Sequence, residues 1–247
     1  MNKNIFITGG TSGIGKSLIM ELAKKNYNIF FTYFKNDEEA RLILRNLQNL
    51  DVRHSCVKMD LTKIKSIENA FKNFKKKFKR LDIFINNASP EIERKNFLKI
   101  KNKNIEKKIS GLLVGSILTL KNALHLIVKN KTSSIIINIS SYAAISGGKN
   151  IHLYAAAKSA LNTLSTALSK DSLNRNLKIV SLVPRRIDTP TFRKNNNIKN
   201  LAAFNAFKKK NKIKSIKTSS EFANFIYKKV IKGTNSNNKP IVYFDSV

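Results

Sequence analysis

Apolar positions along the chain fall into two kinds of run that alternate. Near-continuous β-type runs stand at "NIFIT" (4–8), "NIFFTYF" (28–34), "VRHSCVKM" (52–59), "LDIFIN" (81–86), "SSIIINIS" (133–140), "LKIVSLV" (177–183) and "PIVYF" (240–244). Most are hydrophobic at successive positions rather than at every second one, as strands buried on both faces of a parallel sheet are. Between them lie segments of helical period at 14–26, 37–50, 62–79, about 102–130, 153–175 and 219–232. This regular alternation predicts a doubly wound α/β fold: a parallel seven-stranded sheet flanked by six helices, joined by right-handed crossovers. No internal repeat or linker divides residues 1–247, so a single domain is expected. Residues 184–218 are polar and basic, with one apolar patch "LAAFNAF" (201–207), and predict a flexible lid or helical flap over a site.

Composition narrows the class. A chain of 247 residues can bury a large core. No apolar run approaches the ~20 residues of a membrane span. "MNKNIFITGG" enters a strand directly, without a secretory apolar region or an Arg-rich presequence. Cys56, the one cysteine, excludes an internal disulfide and suits a reducing compartment, so a cytoplasmic location is expected. His54, His125 and His152 are scattered without ligand spacing, and no metal site is expected.

Charge is the unusual feature: 47 Lys and Arg against 15 Asp and Glu, a formal net charge of +32. It fits a polyanionic partner such as nucleic acid, an acidic carrier protein or a membrane surface. It also fits compositional drift, since lysine far outnumbers arginine and Asn and Ile abound, as in AT-rich coding sequence. The basic residues spread from Lys3 to Lys239, and the denser runs at 72–80 and 207–214 read as solvated faces or loops. No zinc-finger spacing or RNA-binding aromatic signature accompanies them, so no specific nucleic-acid partner is expected.

"TGGTSGIGKS" (Thr8–Ser17) joins the first strand to the first helix. Gly9, Gly13 and Gly15 allow a tight turn, close approach of backbone to a pyrophosphate, and close helix–strand packing. With Thr11, Ser12 and Ile14 they form the expected cofactor-binding turn of a Rossmann-type domain, where free N–H groups at a helix start face phosphate. Gly10 to Ser17 also matches the P-loop pattern formally, but such a loop has no need of Gly9 and Gly13. At the tip of the second strand stands Lys35, with no Asp or Glu to hold a ribose diol; a cation there favours a 2′-phosphate, hence NADP over NAD. Lys16 either adds to that field or points to solvent. Asp60, before Leu61 at the end of the third strand, either accepts from an adenine amino group or caps the helix starting near Thr62. Tyr154 and Lys158 in "YAAAK" are helical i,i+4 neighbours, a spacing that alone carries no function.

Taken in order, "TGGTSGIG" (8–15), "DL" (60–61), "NNAS" (86–89), "NISS" (138–141), "YAAAK" (154–158) and "VPRRIDTP" (183–190) resemble the short-chain dehydrogenase/reductase family over nearly the whole chain. The look is most like 3-oxoacyl-acyl-carrier-protein reductases. The resemblance implies Tyr154 as the general acid, Lys158 as the cation that lowers its pKa and holds the nicotinamide ribose, and Ser141 on the substrate oxygen. It assigns Asn87 and Ala88 to the adenosine side, and Ile187 and Thr189, beyond Pro184, to the nicotinamide carboxamide. Ser140, one residue off the family spacing, is left to packing or capping. Three departures stand out: Ser89 where the family has glycine, Arg185 where "PG" is usual, and Leu112 where an Asn would anchor a water relay, with Ser110 a candidate substitute. The ending "PIVYFDSV" also lacks the family's "DGG".

The function expected from these residues is NADPH-dependent reduction of a carbonyl, foremost a 3-oxoacyl chain on acyl carrier protein in fatty acid synthesis. Enoyl-acyl-carrier-protein reduction is the alternative, then reduction of a pteridine or other small carbonyl compound. A nucleotide-sensing or nucleic-acid-binding protein on the same fold is the non-enzymatic one. A homotetramer or homodimer is the family expectation.

Overall fold

The computed structural model describes residues 2–92, 94–171, 173, 175–233 and 239–244. Its strands are β1 (Asn4–Ile7), β2 (Asn28–Tyr33), β3 (His54–Lys58), β4 (Ile83–Asn86), β5 (Ser134–Ile139), β6 (Leu177–Pro184), β7 (Ile187–Asp188), β8 (Lys217–Thr218) and β9 (Ile241–Phe244). Its α-helices are α1 (Gly13–Ala23), α2 (Asp37–Gln48), α3 (Ile64–Lys77), α4 (Asn102–Ile109), α5 (Gly115–Ile127), α6 (Ala143–Ser146), α7 (His152–Lys170), α8 (Pro190–Asn195), α9 (Leu201–Lys210) and α10 (Ser219–Phe225). Seven strands form one parallel sheet in the order β3-β2-β1-β4-β5-β6-β9, the predicted architecture. The order reverses between β1 and β4, which opens a crevice at the carboxyl edge of the sheet.

Successive strand residues point to opposite faces, and the two faces are packed differently. Ile5, Ile7, Ile29, Ile83, Ile85 and Ile137 meet α1, α2 and α10 in an aliphatic layer. Phe6, Phe30 and Phe84 meet Phe71, Phe74 and Phe78, from α3 and its end, with Leu120, Ala123 and Ile127 of α5. The Phe6 ring lies 4.8 Å from Phe30, 5.6 Å from Phe84 and 4.7 Å from Phe71, centroid to centroid. Such offset and edge contacts add to the burial of large rings.

The structure departs from expectation in three places. First, the helix expected over about 102–130 is interrupted by a π-helical turn, Ser110–Val114. A Cβ on Gly111 would stand 2.7 Å from Pro90 Cγ, and one on Gly115 would collide with the Leu61 carbonyl, so both glycines let this turn approach the loops after β3 and β4. Asn102–Ile127, counted as one helix, is long and apolar enough to cross a membrane by length and composition, but it lies in the helical layer with Leu120, Ala123 and Ile127 buried. Second, the helix expected over 219–232 is α10 followed by a π-helical turn, Ile226–Ile231. Third, 184–218 is a folded flap: β7 and β8 pair in a small sheet, and α8 and α9 lie between them. Its helices carry their own caps. Thr189 Oγ1 accepts from Phe192 N, Asn200 Oδ1 accepts from Ala203 N, and Arg193 grips Asp188 with two 2.7 Å bonds. The expected end of the helix over 153–175 includes positions 172 and 174, outside the described residues, as are 245–247 of the "PIVYFDSV" ending.

Candidate active site

The glycine turn lies at the crevice and is braced from β4. Thr8 Oγ1 accepts from the Asn87 and Ala88 backbone N–H groups, each at 2.9 Å, while Asn87 Nδ2 donates to the carbonyls of Thr8 (2.9 Å) and Gly9 (3.0 Å). Asn87 and Ala88 thus shape the turn directly. Gly9 and Gly13 have φ of +71° and +50°, conformations that disfavour a side chain. A Cβ on Gly9 would stand 2.9 Å from Ala88 Cα, and one on Gly15 would collide with the Gly9 carbonyl. Gly10 is equally constrained, 2.6 Å from Phe31 by the same measure; the doubled glycine was its only sequence signal. Ser12, at the start of α1, makes no side-chain cap, so first-turn N–H groups are left for an anionic ligand. Ile14 packs on the aliphatic layer. Thr189 stands beside Gly13, with its Cβ 3.3 Å from an added Cβ there, so the flap begins over the turn.

The walls around it hold a different distribution of charge. Lys16 is taken by Glu39 at 2.7 Å, which removes it from the expected phosphate field. Asp37, held by Tyr33 (3.0 Å) and Lys58 (3.2 Å), has its carboxyl pulled below the usual range by those contacts. Lys35 forms no salt bridge among the described residues, though its charge adds to that of Lys194 in lowering the Glu91 carboxyl; its Nζ lies 5.6 Å from the Phe34 ring centroid. Asp60 Oδ1 accepts from Thr62 N (2.9 Å) and Oγ1 (2.7 Å), a local turn ahead of α3. Leu61 packs against the phenylalanine layer.

The reactive side is assembled by β5, β6 and α7. Ser140 N donates to Leu182 O (2.7 Å) and Tyr142 N to Pro184 O (2.9 Å), which pins Ser141 at the end of β6. Ser141 Oγ accepts from Ala143 N at 3.2 Å and lies near enough to the Tyr154 phenol to act on its pKa. Lys158, one helical turn on, is 4% exposed, and its Nζ donates to Ile139 O at 2.7 Å. Burial pushes its pKa down to about 8. Burial also raises the Tyr154 pKa, and the Ser141 contact opposes that rise. The expected lowering of the phenol by Lys158 is therefore not what this arrangement produces: Nζ is 5.7 Å from the Tyr154 ring centroid and turned to a strand carbonyl. Ser140 is buried, with Oγ 3.4 Å from Lys158 O, a packing role. Pro184 closes β6 and Ile187 is buried in the aliphatic layer, so of the downstream pair only Thr189 reaches the turn.

Leu112 is buried in the π-turn, where its carbonyl accepts from Ser116 Oγ at 3.0 Å, and Ser110 opens that turn. Beneath lies a buried polar chain that sequence reading missed. Thr119 Oγ1 donates to Asn86 Oδ1 (3.1 Å), Asn86 Nδ2 to Asn138 Oδ1 (3.1 Å), and Asn138 Nδ2 to Ser165 Oγ (2.9 Å). Its signal was there: two apolar strands, "IFIN" and "IIINI", each carry an Asn, and the two are register partners. Ser181 Oγ donates to Asn162 Oδ1 at 2.6 Å, one turn below Lys158. Among the described residues no cluster of His, Cys, Asp and Glu could hold a metal.

A family model described as short chain dehydrogenase matches residues 3–200 of this chain. The chain belongs to that family. As a short-chain dehydrogenase it is an NAD(P)-dependent oxidoreductase. It is 29% identical over 192 residues to the 3-oxoacyl-[acyl-carrier-protein] reductase of Bos taurus, covering 76% of this chain and 77% of that one. It is also 29% identical over 202 residues to 3-oxoacyl-[acyl-carrier-protein] reductase FabG of Chlamydia trachomatis, covering 81% and 80%. Among solved structures it superposes on levodione reductase with a TM-score of 0.87 at 22% identity, covering 98% of this chain and 96% of that one. A short-chain dehydrogenase from Burkholderia cenocepacia, solved with NADP, gives 0.85 at 22% identity with the same coverage. These two likenesses establish the fold.

Proposed function

We propose that this short-chain dehydrogenase reduces a carbonyl group with NADPH, and that its substrate is a 3-oxoacyl chain on acyl carrier protein, in fatty acid synthesis. The observation that carries the reading is Ser141 beside the Tyr154 phenol, with buried Lys158 one turn on, at the sheet edge that also holds the glycine turn. The curated relatives named above act on 3-oxoacyl carriers by name and support the substrate. The +32 charge supports an acidic carrier, which it would steer.

The site's residues fit a dinucleotide. Gly9, Thr11, Ser12, Gly13, Ile14 and Gly15 form an uncapped helix start, Lys35 is free for a 2′-phosphate, and Asn87, Ala88, Asp60 and Leu61 border the adenosine side. Thr189 would border the nicotinamide end, carried there by the backbone of Pro184 and Ile187. Bound NADPH supplies the hydride to the carbonyl carbon. Ser141 and Tyr154 hold the carbonyl oxygen between their hydroxyls. Tyr154 gives its proton to that oxygen, the C=O π pair becomes the new O–H bond, and a phenolate is left. The raised phenol pKa keeps this proton in place at neutral pH. Lys158 has three N–H donors and spends one on Ile139 O, leaving two that would meet the cofactor's ribose hydroxyls.

Leu112 and Ser89, at positions where the family carries Asn and Gly, favour a second reading, reduction of an enoyl thioester through its enolate. NADPH oxidation with acetoacetyl and crotonyl thioesters separates the two. Turnover of the acetoacetyl compound alone is expected, and turnover of the crotonyl compound alone would replace the first reading with the second. NADPH binding without either turnover would favour a nucleotide sensor. A cytoplasmic location and a homotetramer or homodimer belong to the same proposal; exposed Val114 and Ile117, on the π-turn and α5, support self-association.

A further inference from the structure

Arg185 is the residue of this site that neither the fold nor the carbonyl chemistry requires. It follows Pro184 directly, and its backbone N–H donates to Phe244 O at 3.2 Å, which fixes it at the carboxyl end of β6 beside β9. Its side chain turns the other way, towards β5: the guanidinium carbon lies 5.0 Å from the ring centroid of Tyr142, the residue after Ser141. Tyr142 is tied to the same place by its 2.9 Å bond to Pro184 O. The cation is therefore anchored through one aromatic ring to the backbone that holds Ser141.

Its charge has no counterion among the described residues. Asp188, the acid three residues away, is occupied by Nε and Nη2 of Arg193. Arg80 has Asp82, and Lys194 has Glu91. Arg185 forms no ion pair among the described residues, and it is exposed. A guanidinium held beside a ring and in no ion pair keeps N–H donors available, in the planar fork that matches a carboxylate or phosphate.

We infer that Arg185 binds an anionic group of the substrate and makes the enzyme selective for carbonyl compounds that carry one. This rests on the carbonyl-reductase reading above. The shared chemistry is an oxyanion, either the carboxylate of a free oxo acid or the phosphate of a phosphopantetheine arm.

Four substrates in two pairs test it: acetoacetate against ethyl acetoacetate, and acetoacetyl-phosphopantetheine against acetoacetyl-N-acetylcysteamine. The wild type is expected to prefer the anionic member of one pair by roughly tenfold to a hundredfold in kcat/KM, the scale of a charge-assisted bond. The pair that shows the preference identifies the source of the anion. Arg185→Gln is expected to bring that ratio close to one, and Arg185→Lys to keep part of it. A wild-type ratio near one in both pairs, or a ratio that Arg185→Gln leaves intact, overturns the inference. If the wild type reduces none of the four, the carbonyl-reductase reading fails. The anion site is then judged by thermal shift with NADPH present: stabilisation by acetoacetate but not its ester, lost in Arg185→Gln, upholds it, and no such difference overturns it.

Discussion

The glycine turn and the Ser141–Lys158 constellation stand at the same sheet edge and are built in opposite ways. The turn works by leaving side chains out. Gly9, Gly10, Gly13 and Gly15 clear space, Asn87 braces the turn's carbonyls, and the hydroxyl of Thr8 ties it to the backbone after β4. The reactive side works by burying polar side chains. Lys158 is nearly inaccessible, Tyr154 is half-buried, and a chain of Asn and Ser hydrogen bonds lies beneath them. One half is governed by sterics, which tolerate no added atoms; the other by desolvation, which sets where protons sit.

That contrast can be broken at either end. The largest effect is expected from Tyr154→Phe, which removes the proton donor while keeping the ring. Turnover should fall by about 10²–10⁴-fold, with NADPH binding, followed by cofactor fluorescence, retained. Full turnover in this variant would remove Tyr154 from the mechanism. Next comes Lys158→Met in cofactor-free protein. The folded-state pKa of about 8 lies below the ordinary 10.5, so between these values the unfolded chain holds a proton the folded chain lacks. Stability of the wild type should therefore rise with pH across that window relative to Lys158→Met, by on the order of 3 kcal/mol in total. Parallel denaturant midpoints from pH 7 to 10.5 would contradict a buried, destabilised ammonium.

Gly15→Ala tests the steric half. The added Cβ meets Gly9 O and stands 2.8 Å from Asn87 Nδ2, a strain worth about 1–3 kcal/mol. The melting temperature should fall by roughly 2–4 °C for each of those kcal/mol, and NADPH affinity should weaken with it; unchanged values would show that the turn can yield. The smallest effect is expected from Lys35→Asp. The ratio of NADPH to NADH use should fall by about tenfold, the scale of one charge contact. A constant ratio would remove Lys35 from the cofactor's phosphate.

The two halves were also unequally legible in the sequence. Gly9, Gly13 and Gly15 declare themselves because a turn between strand and helix has few other ways to be written. The succession of strands follows from near-continuous apolar runs, and Tyr154 and Lys158 stand out through the resemblance that "YAAAK" and the motifs around it bear to the family. Hidden were the partners that folding brings together. Lys16 meets Glu39 on the next helix, and Lys158 meets a strand carbonyl rather than the phenol. Counting along the chain put an Asn-equivalent at Leu112, but a π-turn there breaks the helical count, so spacing alone cannot say which group faces the lysine. Residues 184–218 were hidden as well, because their order comes from short caps and one bidentate ion pair rather than from periodicity.

The π-turn has a consequence for how this protein can change. A π-turn holds one residue more than an α-helical turn spanning the same gap. Deleting a residue between Ser110 and Val114 would restore a regular helix with α4 and α5 left in place, whereas winding the same residues as a plain α-helix would turn α4 by about 100° and shift it by ~1.5 Å relative to α5. Gly111 would then leave its seat against Pro90 and Thr62. The extra residue thus sets which side chains of this wall face the loops after β3 and β4, and a single deletion here would change that facing locally while leaving the flanking helices where they are.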